Sequence, residues 1–184
     1  MTILKPIDKI FLLLHRVGMN SLKLDERDLQ ILTVLSREGR ISKSELAKRV
    51  NLSTTPCWER LKRLEDGGVI SGYHADVALR KITPHVMLFV VVELESHRAE
   101  SFTTFERAVG NQEEIIACWA LGGGFDYLMQ IISHDIDSYQ RLIDDLLAQN
   151  IGLERYFTYV VTKPVKTGSA LPISSLLASS IAKD

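Results

Sequence analysis

Three features of the sequence predict an α+β fold in two parts, an N-terminal winged helix-turn-helix domain and a C-terminal ferredoxin-like βαββαβ domain. Three successive helical segments between residues 25 and 66 begin alike, each with a polar capping residue behind an apolar one. A glycine pair and a stretch rich in β-formers follow them. Beyond Pro84, strand-like and helix-like runs alternate in the order βαββαβ. With 184 residues, of which 46% are hydrophobic, the chain is long enough for two cores.

The first helix is read from "LDERDLQILTVLSREGR", where Leu29, Ile31, Leu32, Val34 and Leu35 make an apolar stripe. Asp25 is its N-cap, Leu24 and Leu29 form a hydrophobic staple, and Gly39 closes it. In "ISKSELAKRVNLS" the device recurs, with Ser42 as N-cap, Glu45 completing a capping box and Ile41 stapled to Leu46. That second helix runs to about Val50, and Asn51 tolerates the left-handed conformation that ends it. Ser53 then caps a third helix, with Pro56 in its first turn and Leu52 stapled to Cys57. Two helices joined by so short a turn make the helix-turn-helix pattern.

On the third helix Cys57, Leu61 and Leu64 share one side, facing a core of Leu32, Leu35, Leu46 and Val50. The other side carries Thr55, Glu59, Lys62 and Arg63, flanked by Trp58 and Arg60. Such side chains suit a major groove: Arg or Lys for guanine edges, a carboxylate for cytosine N4, threonine for phosphates or thymine methyls. Charge agrees with this placement. Residues 37–63 hold eight Lys and Arg against three acids, and residues 86–160 hold four against twelve, although the net charge is only -1. The basic part therefore fits a polyanion and the acidic part another task.

After Gly67 and Gly68, "VISGYHADVAL" predicts a short strand or wing, and Pro84 marks a boundary. "HVMLFVVVELE" reads as a buried strand, and "RAESFTTFERAV" as a helix with Phe102, Phe105 and Val109 inward. "EIIACWALGGGFDYLMQIISH" reads as two strands broken at the glycines. "DIDSYQRLIDDLLAQN" is a helix with Ile136, Tyr139, Leu142, Ile143 and Leu146 inward, and "LERYFTYVVTK" is the last strand. A βαββαβ unit makes a four-stranded antiparallel sheet with both helices on one side. Its other face needs a cover, and a second copy would supply one, so a dimer is expected. The run of Gly122, Gly123 and Gly124 permits either a tight turn or close approach of backbone amides to a ligand. It is neither a dinucleotide nor a phosphate-loop fingerprint, because no helix opens directly after it.

Cys57 and Cys118 form no CxxC pair and are expected to be small core residues. No metal-ligand spacing occurs, and no cofactor or metal is expected. Lacking a run of 18 apolar residues or a secretory leader, the chain is expected in the cytoplasm without a membrane partner.

The strings "LDERDLQIL", "ISKSELAKRVNLSTTPCWERLKRLEDGGVISGY", "GGFDYL" and "TGSALPI" resemble the Lrp/AsnC (feast/famine) family of prokaryotic transcription regulators over about residues 22–172. The resemblance implies a sequence-specific, nucleoid-associated DNA-binding regulator that is not an enzyme and answers to a small amino-acid-like effector. Its partners would be double-stranded DNA, the effector and further copies, as a homodimer assembling to a tetramer or octamer. The implied parts are an extension at 1–21, a DNA-binding domain at 22–70 and a strand linker at 71–85. An effector-binding and dimerisation domain at 86–166 and a tail at 167–184 complete them. Ser42, Lys43, Ser53, Thr54, Thr55, Trp58, Glu59, Arg60, Lys62 and Arg63 are the expected DNA contacts. Gly122, Gly123, Gly124, Phe125 and Asp126 are the expected effector contacts, although many relatives have an acidic or polar residue where Gly124 stands. Relatives usually begin near Met19, which favours an upstream start codon over a true extension for residues 1–18. Sirohaem decarboxylases resemble the same two-part architecture, so an enzyme is one alternative, with His15, His74, His85, His97 and His134 as the available haem-type ligands. The other is a nucleoid-organising protein with little sequence preference.

Overall fold

The computed structural model describes residues 22–168, 171–173, 175 and 176. The expectations for residues 1–21 and for most of the tail lie outside them. Two units divide between Val77 and Ala78.

The first unit has three helices, α1 (Glu26–Leu35), α2 (Lys43–Arg49) and α3 (Thr54–Asp66). Asp25 caps α1 through a full capping box in which the Asp28 N–H and the Asp25 N–H each donate to the other residue's carboxylate. The helix stops at Leu35, before the expected Gly39. At its end the Thr33 and Ser36 hydroxyls donate to the carbonyls of Leu29 and Thr33, the local bonding by which such residues compete with a continuing helix. Ser42 accepts the Glu45 N–H as predicted, but the Glu45 carboxylate turns to Arg49 and Lys48 instead of completing the box.

Asn51 has φ 52° and ends α2 in a Schellman motif, with its N–H donating to Lys48 O and that of Leu52 to Ala47 O. Gly68, at φ 69°, ends α3 in the same way, with bonds to Glu65 O and Leu64 O. Ser53 stands at the N-cap of α3, but its side chain makes no capping hydrogen bond. The core is Ile31, Leu46, Ala47, Val50, Cys57, Leu61 and Leu64, with Leu32 and Leu35 half-buried at its edge. Among the described residues no strand forms over 69–79; residues 71–78 are neither helix nor strand, and Leu79–Lys81 is a 3-10 turn. Strand propensity alone does not make a strand, since its backbone groups need a ladder to join.

The second unit follows the predicted order: β1 (Val86–Leu94), α4 (Ala99–Gly110), β2 (Ile115–Ala120), β3 (Tyr127–Ser133), α5 (Ile136–Ala148) and β4 (Leu153–Val160). Its sheet is antiparallel with strand order β2-β3-β1-β4. Alternation along β1 and β3 sends Leu88, Val90, Val92, Leu94, Tyr127, Met129 and Ile131 into one core with Phe105 and Val109 of α4 and Tyr139, Leu142, Ile143 and Leu146 of α5. Ile136, expected inward, is half exposed at the first residue of α5. The opposite sheet face carries Phe89 and Val91 of β1, Trp119 of β2 and Phe157 and Tyr159 of β4. Trp119, Phe157 and Tyr159 are 46%, 43% and 58% exposed, an apolar face with no cover within the subunit.

Candidate nucleic-acid interface and effector loop

Helix α3 is held by its apolar side, because Cys57, Leu61 and Leu64 are buried against α1 and α2. Ser53, Thr54, Thr55, Trp58, Glu59 and Lys62 are exposed, as are Ser42 and Lys43 at the start of α2. The Lys43 ammonium sits 3.1 Å from the centroid of the Trp58 ring, so a cation–π contact joins the start of α2 to α3. Lys62 has no ion-pair partner among the described residues. The outward side of α3 thus offers a hydroxyl, a carboxylate and a free ammonium.

Arg60 and Arg63 are placed differently from expectation. Their guanidinium groups turn to α1, where Arg60 reaches Asp28 Oδ1 at 3.0 Å and also Asp25, and Arg63 reaches Asp28 Oδ2. The cause is Asp28, which is fully buried; a carboxylate without solvent needs counter-charges and donors. Arg63, its side chain 43% exposed, and Arg60, 29% exposed, therefore carry ion pairs to α1 where free groove-facing cations were expected. Sequence reading missed Asp28, although the signal was present: the residue lies three and seven positions before Ile31 and Leu35, on the apolar stripe itself. Arg27 also works internally, donating to Val50 O at the end of α2 at 2.8 Å.

The Arg60 guanidinium beside Asp25, followed by the Asp28 N–H, holds the Asp25 carboxyl below its ordinary value of 3.8. A pKa lowered on folding stabilises fully above the ordinary value, and that contribution is lost as pH falls through the lowered one. Asp25→Asn keeps a capping side chain without the charge. Its melting deficit relative to wild type, present at pH 7, is expected to shrink as the pH is taken below 3.8. A deficit constant across that range in thermal melts would show that the charge is not what Asp25 contributes.

At the expected effector loop, Leu121 N donates to Asp126 O at 2.7 Å, closing the β2–β3 hairpin over residues 122–125. Gly123 and Gly124 are not needed to make the turn. Neither has positive φ, and a β-carbon added at either would meet no atom within 4 Å. Asp126 faces inward with both carboxylate oxygens engaged, Oδ2 accepting Leu94 N–H at 2.8 Å and Oδ1 lying 3.0 Å from His97 Nε2. It ties the hairpin to the end of β1 and to the connection into α4. Phe125 packs edge-on against Phe157, with centroids 5.6 Å apart.

Cys57 and Cys118 are free, and burial raises both thiols, Cys118 to about 11. Among the described residues, no group of three His, Cys, Asp or Glu side chains is placed to hold a metal ion. No helix among them is long and apolar enough to cross a membrane.

Comparison with known proteins gives matches to both parts. A winged helix-turn-helix DNA-binding model matches residues 24–71, and a model of the Lrp/AsnC ligand binding domain matches residues 87–171. The transcriptional regulatory protein DoeX of Halomonas elongata is 52% identical over 149 residues, 81% of this chain and 94% of that protein. The leucine-responsive regulatory protein of Escherichia coli is 39% identical over 152 residues, 83% of this chain and 93% of its own. Among solved structures, a transcriptional regulator of Neisseria meningitidis, determined as its L-Met complex, superposes with a TM-score of 0.78. It shares 32% identity and covers 84% of this chain and 99% of its own.

Proposed function

We propose, from the premise that this chain belongs to the Lrp/AsnC family of transcriptional regulators, how its residues divide the work of an amino-acid-responsive DNA-binding regulator. Two copies of α3, one from each subunit of a dimer, enter successive major grooves of a pseudo-palindromic site. The observation that supports this best is the two-sidedness of α3, whose apolar side is buried while Thr55, Trp58, Glu59 and Lys62 stand exposed on the other. Thr55, Glu59 and Lys62 are the candidates for base edges. Ser42, Lys43, Ser53 and Thr54, at the starts of α2 and α3, suit phosphates, since exposed hydroxyls and helix N-termini bind anions.

The dimer covers the open sheet face with its own copy, because an apolar face that spans three strands is costly to leave in water. Dimers assemble further into a tetramer or octamer. A small amino-acid-like effector sits against the open turn at residues 122–125, where glycine leaves room that the turn itself does not use. The N. meningitidis regulator in its L-Met complex supports that ligand class. The named relatives are regulators, which favours this reading over a decarboxylase-like enzyme. Work on DNA places the protein in the cytoplasm, on the nucleoid.

One titration tests the proposal. The full chain is titrated against its in vitro selected duplex and a random duplex over a range of salt, with and without a panel of amino acids. The log of the binding constant is expected to fall linearly with log salt, by about 0.9 for each phosphate neutralised. The selected duplex is expected to bind at least about 10³ more tightly than the random one. At least one amino acid is expected to shift binding by about 5- to 150-fold, a coupling of about 1–3 kcal/mol. Equal affinity for both duplexes would make the protein a nucleoid organiser instead.

A further inference from the structure

We infer that Asp28, Arg60 and Arg63 form a positioning device that sets the rotation of α3 on α1, so that neither arginine reads DNA and both govern how precisely the reading side chains are aimed. This rests on the DNA-binding reading of α3 and divides the labour among its cations.

The network is closed at every acceptor. Asp28 Oδ1 accepts Arg60, and its Oδ2 accepts Arg63 and also the Asp25 N–H at 2.9 Å. Asp25 Oδ1 accepts the Asp28 N–H at 3.0 Å, and its Oδ2 accepts Arg60. One buried carboxylate thereby joins the first turn of α1 to two successive turns of α3. The two arginines lie on the flank of α3 between the buried Leu64 and the exposed Glu59 and Lys62.

An apolar stripe alone is a poor angular reference, because hydrophobic side chains repack with little loss when a helix rolls by a few degrees. Two hydrogen-bonded guanidinium groups one turn apart are directional, and they resist both rolling and sliding. The same geometry argues against a second role at DNA. Drawing Arg63 toward a phosphate would leave part of the Asp28 charge buried without its partner, and no solvent reaches that side chain to replace it. Base-edge recognition needs placement within a fraction of an ångström, so a loosened α3 keeps its charge attraction and loses discrimination.

The experiment compares wild type, Arg63→Ala, Asp28→Asn and the double variant, each as the full chain and each verified as folded by circular dichroism. Each is titrated over a range of salt against a duplex selected by wild type and against a random duplex. For Arg63→Ala and Asp28→Asn alike, the ratio of selected to random affinity is expected to fall about tenfold or more. The salt slope on random DNA is expected to stay at the wild-type value, and the double variant to be no worse than the poorer single one. A slope reduced by about one in Arg63→Ala alone would identify a phosphate contact and overturn the inference. Relaxed preference at a single base pair in Arg63→Ala, unshared by Asp28→Asn, would identify a base reader and overturn it too. A lower melting temperature with an unchanged ratio would reduce the network to plain stabilisation, which also refutes it. Asp28→Asn is isosteric and carries the test if Arg63→Ala does not fold, with Arg60→Gln as the next variant. If wild type itself shows no salt-dependent binding, the DNA-binding reading fails, separately from this one.

Discussion

Phe89→Glu is expected to leave a folded monomer that binds its DNA site about 10²–10⁴ times more weakly than wild type. Phe89 lies in the middle of β1, paired in register with Gln130 of β3 and Tyr159 of β4, and its side chain is on the face away from the helices. It contributes nothing to the buried core beneath the sheet, so the subunit loses little when it is replaced. In a dimer formed through that face, the new carboxylate would be stripped of water without a partner, at a cost of several kcal/mol for each copy. Two-fold symmetry applies that cost twice. The large effect on DNA follows from linkage: a dimer binds its second half-site at high effective concentration, and a monomer has no such advantage. Sedimentation velocity and a DNA titration on the same preparation check both halves of the prediction. A variant that remains dimeric would show that the open face is covered by something other than a second copy.

Which features were legible in advance depended on how local their physics is. Asp25, Ser42 and Asn51 could be placed because a cap is settled within four residues of chain, by one side chain and the first or last turn. The sheet unit was legible for a similar reason. Alternation along β1 and β3 and helical spacing at Phe105, Val109, Leu142 and Leu146 each declare a buried face, and the strand order follows from the connections. Long cations were not legible. Arg60 and Arg63 stand at positions that suit a groove-facing flank, and only the packing of α1 against α3 reveals that a buried carboxylate lies within their reach. Asp28 carried the warning, since an acid on an apolar stripe calls for a counter-charge; but with eight Lys and Arg in residues 37–63, its partners could not be chosen. The stretch 69–79 failed for the complementary reason: its composition favours a strand, but pairing is a property of two segments. At the effector loop, the glycine run marked the right hairpin. The inward turn of Asp126 depends on Leu94 and His97, 32 and 29 residues earlier, which no local pattern foretells.

Leu64→Ala is expected to unfold the helical unit at temperatures where the sheet unit stays folded, and so to abolish DNA binding while leaving the dimer intact. Leu64 is fully buried on the inner side of α3, in a core of seven residues. Truncating a buried leucine costs about 2–5 kcal/mol, the upper end applying where neighbours cannot collapse into the space. Here they are held apart. The Schellman turn after Asn51 fixes the approach of α2 to α3, and the Asp28 network fixes α1. The helical unit has little to spare, since a single core of its size supplies only about 3–5 kcal/mol. The substitution therefore removes most of what holds α3 in shape, and a helix of 13 residues is marginal in water by itself. The sheet unit has a separate core, so calorimetry should resolve two transitions, with only the lower one displaced. If both transitions moved together, the two units would be one cooperative structure, and the loss of DNA binding could not be assigned to α3 alone.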